Sequence, residues 1–216
     1  MSEFATPDDR ILSRLLFFSD AVFAIVLTLL VLELRVPAAH GAQAMAQALI
    51  ALAPHFIAFG ASFALTTIFW AAHLAIMRRL QHFDWPVVWA NALLLLVIAL
   101  MPFASALLGE GTAFAVSWQV YCVVLIAASL AQTLLVLVVM RDGGRLIGGA
   151  TLREILWRTL RALSPGIAFA AGLALVIRGQ YALSAVCGLL IPVILVVSNV
   201  LFGPRRSKPP EPEPAA

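Results

Sequence analysis

Apolar residues fall in six long runs, at roughly 13–35, 50–77, 86–108, 116–140, 162–178 and 181–202, each near the ~20 residues that a helix needs to cross a bilayer. None of the runs alternates apolar with polar, so the pattern predicts helices and not the period-2 strands of a membrane barrel. The connections are short. Leu34 to Gln47, with Pro37 and Gly41, reads as the longest loop; Gly109-Glu110-Gly111 and Arg178-Gly179-Gln180 read as tight turns. Between Thr151 and Ala162, Arg153, Arg158 and Arg161 alternate with Leu, Ile and Trp, which predicts an amphipathic helix on the membrane surface leading into the fifth run. Pro192 is placed to kink the sixth run. From Gly203 onward the chain is Pro-rich and charged, and the tail 203–216 is expected to be disordered.

The polar residues inside these runs carry the next layer of information. In Arg14-Leu-Leu-Phe-Phe18-Ser19-Asp20 a carboxylate lies about two helical turns inside an otherwise apolar run, where a charge costs several kcal/mol unless it is paired or faces protein or water. Trp70 and His73 lie near the end of the second run that Arg78 and Arg79 mark, and Asn91 lies about two turns into the third. Ser19, Asp20, Trp70, His73 and Asn91 therefore share one depth, which predicts a common hydrogen-bond network, because each needs a partner there. Each being satisfied separately by backbone or water is the alternative. On a helical wheel Ile25, Leu29 and Leu32 form one stripe, bordered by Thr28 and extended by Phe18; Ser19 and Asp20 point roughly 120° and 140° away from it. Such a stripe is what plain packing against a neighbouring helix produces, and equally what the lining of a passage requires.

Composition narrows the class. The chain is 62% hydrophobic and 12% charged, with a mean hydropathy of +1.01, against about 25% charged residues in soluble domains. It reads as an all-α integral membrane protein whose six helices form one domain over residues 1–202. Cys122 and Cys187 both sit in apolar runs, so no disulfide framework is implied, and the first run lacks a signal-peptide layout. Of the 14 Lys and Arg, only Arg35 and Arg178 fall on one side of the six runs; the other side holds Arg10, Arg14, Arg78, Arg79, Arg141, Arg145, Arg153, Arg158, Arg161, Arg205, Arg206 and Lys208. Positively charged loops stay in the cytoplasm, so both termini are expected there, in a multi-pass protein of the plasma membrane. No metal-ligand spacing, phosphate loop or nucleophile elbow appears, so no enzyme, cofactor, fixed metal or nucleic-acid partner is expected.

Arg14-x-x-x-Phe18-Ser19-Asp20, followed by Ala-Val-Phe-Ala-Ile25-x-x-Thr28-Leu29-Leu-Val-Leu32-Glu33, resembles the first-helix motif of the transmembrane protein 175 potassium channels. The likeness extends to Trp70-x-x-His73, Asn91 and Met-Pro102-Phe103, covering roughly residues 14–110; beyond that only the six-span plan matches. The resemblance, to the prokaryotic single-repeat form, implies a homotetramer in the lipid bilayer that conducts K⁺ passively along its central axis. In that family the first helix lines the pore. Ile25, Leu29 and Leu32 would then form apolar constriction rings and Thr28 a ring of hydroxyls, with K⁺ only transiently bound. Arg14, Phe18, Ser19, Asp20, Trp70, His73 and Asn91 would form the network that holds the helix, with Arg14 paired to carboxylate or carbonyl groups. The alternative is a proton- or ion-coupled transporter using Asp20 and His73 as a relay; a scaffold or enzyme without permeation is the third reading.

Overall fold

The structure, a computed structural model, describes residues 7–110 and 114–202, and they are helical nearly throughout. The expected disordered tail, 203–216, lies outside the described residues. The elements are α1 (Pro7–Leu29), extended by a 3₁₀ turn at Leu30–Glu33; α2 (Ala42–Ala51); α3 (Ala53–Met77); α4 (Trp85–Ile98); α5 (Met101–Glu110); α6 (Phe114–Val139); α7 (Leu152–Ile177); α8 (Tyr181–Ala185); and α9 (Leu190–Phe202). Six segments among the described residues are long and apolar enough to cross a membrane: Arg10–Glu33, Ala53–Met77, Trp85–Glu110, Ala115–Val139, Leu152–Ile177 and Tyr181–Phe202.

Four boundaries differ from the sequence reading, each for a local reason. The loop from Leu34 to Gln47 is half helix, since α2 begins at Ala42, after Gly41 turns the chain at φ 91°. The third run is interrupted at Ala99 and Leu100, because Pro102 has no N–H to offer the Ile98 carbonyl. The segment from Thr151 to Ala162 is no separate surface helix. It is continuous with the fifth span as α7, which starts where the Thr151 side chain accepts a bond from the Glu154 amide at 3.2 Å. Pro165 lies inside α7, and the Arg161 carbonyl it leaves free accepts the Ser164 hydroxyl at 2.8 Å, which lets the helix pass through the proline. In the sixth run the interruption is a 3₁₀ turn at Cys187–Leu189, one turn before Pro192, whose missing amide would have met the Gly188 carbonyl.

The fourth span is the core of the bundle: 61% of its apolar window is buried, against 22% for the first span and 18% for the sixth. Tyr121, Leu125, Ala128 and Leu135 on α6 are all at most 1% exposed. Close approach of α6 and α7 is set by small residues, as is usual where helices pack without a hydrophobic driving force. The Ser129 hydroxyl donates to the Ala162 carbonyl at 2.6 Å, and a Cβ added at Gly166 would lie 2.7 Å from the Ser129 oxygen. Gly166→Leu is therefore expected to force the two helices apart and destabilise the protein by about 1–3 kcal/mol, read as a lower midpoint of thermal unfolding in detergent.

Charge clusters at one end of the bundle. Arg79, at the end of α3, pairs with Glu154 at the start of α7, and Arg158 pairs with the same carboxylate at 3.1 Å. Arg141, after α6, pairs with Asp84 before α4. These bridges tie the ends of four spans together. They place Arg78, Arg79, Arg141, Arg145 and Arg153 at one end and Arg35 and Arg178 at the other, the same division the sequence shows.

Candidate functional site: the two faces of the first helix

On α1, Leu12, Ser19, Phe23, Val26 and Leu30 recur every three to seven residues and are 8% exposed or less. This buried stripe joins α1 to α3, α4 and α5. At its centre stands a chain of three bonds. The His73 Nε2 of α3 and the Asn91 Oδ1 of α4 are 2.7 Å apart; the Asn91 Nδ2 donates to the Ser19 Oγ at 2.9 Å; and the Ser19 hydroxyl donates to the Leu15 carbonyl at 2.9 Å. Since the amide nitrogen of Asn91 faces Ser19, its oxygen accepts from His73, which fixes the histidine proton on Nε2. Ser19, His73 and Asn91 are each at most 1% exposed. The Phe23 ring lies 5.5 Å from the His73 ring and covers this group from the side.

Asp20 belongs to a second, separate contact. One residue on from Ser19, it is turned ~100° around the helix and reaches α3, where the Trp70 indole donates to its Oδ1 at 2.9 Å. Trp70 and His73 are three residues apart, on one face of α3, so this face holds α1 directly through Trp70 and indirectly through His73, which bonds Asn91 of α4 and packs against Phe23. Among the described residues no hydrogen bond joins Asp20 to His73, and no group of three or more His, Cys, Asp and Glu is arranged to hold a metal ion.

The opposite face of α1 is uncovered. Phe18 is 59% exposed, Ile25 57%, Leu29 41% and Leu32 68%, and Thr28 is exposed among them. The Thr28 hydroxyl donates to the Ile25 carbonyl at 2.8 Å, so its hydrogen is engaged and its oxygen lone pairs are left for an outside donor or a cation. Arg14 and Phe18 differ from expectation. Both lie on this outward face, away from the bonded group, and Arg14 has no hydrogen bond or ion pair to a described residue. Arg14 instead borders a surface groove of about 870 Å³ with Phe17, Phe18, Phe83 and Trp85, where a long side chain at the end of a span reaches water while its stem stays on apolar surface. Phe23, on the buried stripe, was absent from the sequence-based set; its spacing of four from Ser19 and three from Val26 was the available signal.

Comparison with known proteins places these residues in context. Residues 14–102 match the family model described as endosomal/lysosomal potassium channel TMEM175. The chain is 36% identical over 118 residues to a protein of Streptomyces collinus named as a potassium channel, covering 53% of this chain and 57% of that protein. It is 31% identical over 127 residues to the bovine endosomal/lysosomal proton channel TMEM175, covering 53% of this chain and 26% of the bovine protein. The match thus spans little more than half the length of the bacterial relative. The fold agrees more widely: the crystal structure of a lysosomal potassium-selective channel TMEM175 homolog from Chamaesiphon minutus superposes with a TM-score of 0.72 at 28% identity, covering 88% of this chain and 99% of that one. On the motif residues of α1, α3 and α4, residues 14–102 carry the pattern of the TMEM175 family, and the six-span architecture is that of a TMEM175 homolog.

Proposed function

We propose that the chain is the subunit of a passive potassium channel, and that α1 lines its pore at the axis of a homotetramer with the arginine-rich end of each subunit in the cytoplasm. The observation that carries the reading is the division of α1 into two faces. One is pinned by a part-buried hydrogen bond to α3 and a buried one to α4, and the other presents Ile25, Thr28, Leu29 and Leu32 with none of the described residues covering them. A helix held rigidly from behind keeps its front face in register with its counterparts around an axis. Rings of Ile25, Leu29 and Leu32 would then gate by excluding water, and the Thr28 oxygens would replace part of the ion's hydration shell. Relatives named as potassium channels, and a structural neighbour described as potassium-selective, support the choice of ion.

The bovine relative's name makes proton passage the second reading. Purified protein in potassium-loaded liposomes decides between them. Potassium efflux into an impermeant-cation buffer at equal pH on both sides is expected, without saturation. Efflux that appears only with a pH gradient and saturates would replace the channel with a coupled carrier; acidification without potassium movement would establish a proton pathway. A native mass of four subunits is expected from the same preparation.

A further inference from the structure

Away from α1, a cavity of about 340 Å³ opens between α3, α6, α7 and α9 at the arginine-rich end of the bundle. Its chemistry does not suit hydrocarbon. Gln132, 1% exposed, lines it, and neither the amide nitrogen nor the amide oxygen of Gln132 has a partner among the described residues. Trp157 lines the same cavity, its indole N–H likewise without a partner among the described residues. Arg161 extends over the Trp157 ring, 5.0 Å from its centroid, and has no ion pair with a described residue, whereas Arg158 beside it is matched by Glu154. Three donor groups thus converge without an acceptor, one of them a cation.

A second cavity adjoins it, with Ile68 bordering both: an apolar groove of about 700 Å³ between α3 and α9, floored by Tyr121 and Phe169 and passing Leu65, Ala61 and Ile191. Ile191 and Leu195, one turn apart on α9, line the apolar and the polar part respectively. From Pro54 to Ile76 the α3 wall of the two cavities measures about 33 Å, about the thickness of the hydrocarbon core, so it is long enough to carry an acyl chain away from the arginine-rich end.

We infer that this composite groove is a binding site for an anionic phospholipid. Its phosphate accepts hydrogen bonds from Arg161, Trp157 and the Gln132 amide, a headgroup hydroxyl donates to the Gln132 oxygen, and an acyl chain lies along α3 and α9. Charge complementarity at one end and an apolar groove long enough for an acyl chain at the other select a lipid over a soluble anion, which has no use for the groove, and over a neutral lipid, which leaves Arg161 uncompensated.

The test is native mass spectrometry of the detergent-purified full chain titrated with phosphatidylglycerol, phosphatidylcholine of the same acyl chains, and inorganic phosphate. Phosphatidylglycerol is expected to be retained about tenfold more tightly than phosphatidylcholine. Arg161→Gln should reduce that preference to about twofold or less, Arg161→Lys should keep most of it, and Arg153→Gln, on the same helix but outside the cavity, should leave it intact. Thermal unfolding of each variant shows that it is folded, and the lysine variant keeps the comparison valid if the glutamine variant is not. An unchanged preference in Arg161→Gln overturns the inference. So does displacement of phosphatidylglycerol by equimolar phosphate, which would make the site one for a soluble anion. A drop in oligomer mass in Arg161→Gln with lipid retention unchanged would overturn it too, by assigning the groove to a contact between copies.

Discussion

Replacing Ile25 by Asn is expected to raise potassium efflux from liposomes by about tenfold or more, because each ~1.4 kcal/mol taken from a barrier is worth that factor in rate. Ile25 is 57% exposed in the single chain, on the face of α1 that α3 and α4 do not touch, and it is the first of the three stripe residues met from the arginine-rich end. If four such residues close a ring, the ring is dry, and a cation must shed water with nothing to replace it. A carboxamide supplies oxygens at that level and lets the ring hold water. Ile25→Ala should move flux in the same direction through widening alone. Leu96→Ala, an exposed position on α4 at 65%, is the control expected to leave flux unchanged. The discriminating outcome is an Ile25→Asn channel that conducts as the parent does: the exposed face of α1 would then be facing lipid, and the pore would have to be sought elsewhere.

Lipid, pore and neighbouring copy all meet exposed apolar side chains. An apolar side chain uncovered in a single subunit looks the same whether lipid, a pore or a second copy meets it. The pinned face of α1 was far more legible. Ser19, Asp20, His73 and Asn91 stand out because polar side chains in an apolar run must find partners, and equal depth in three runs leaves few candidates. Which pairs form was not legible: Ser19 meets Asn91 and Asp20 meets Trp70 because adjacent residues on a helix diverge by ~100°, and the order of α3 and α4 around α1 is a tertiary property. Pro192 marked the interruption of the sixth run, but the break before Met101-Pro102 escaped for a different reason. Apolar content is averaged over a whole span, whereas a proline removes one hydrogen bond at one residue. Arg14 is the converse case: its position beside the stripe suggests a partner, and among the described residues of a single chain it has none, lying instead along an apolar groove near the end of the span.

The second large effect is expected at Asn91. Its side chain uses both ends: the oxygen accepts from His73 and the nitrogen donates to Ser19, so one amide joins three spans. Single hydrogen bonds between membrane helices average about 0.6 kcal/mol and reach about 1.7. Asn91→Leu breaks two and leaves the His73 nitrogen and the Ser19 oxygen buried without these partners, so a loss of about 1–3 kcal/mol is expected, measured by unfolding in detergent–denaturant mixtures. Trp70→Phe, by contrast, breaks one bond, to a carboxylate that is only half-buried and has other means of solvation, and should cost less than about 1 kcal/mol. The ordering tests the role. If the three-span chain positions α1, Asn91→Leu should alter potassium efflux as well as stability, although Asn91 lies on the side of α1 away from Ile25 and Leu29. Coupling should be visible too: the losses from Ser19→Ala and Asn91→Leu should fall short of additivity by about 0.5–1.5 kcal/mol, since either change already breaks the shared bond. Strictly additive losses would show that Ser19 and Asn91 are satisfied independently, and the rigid rear attachment on which the pore reading of α1 depends would be gone.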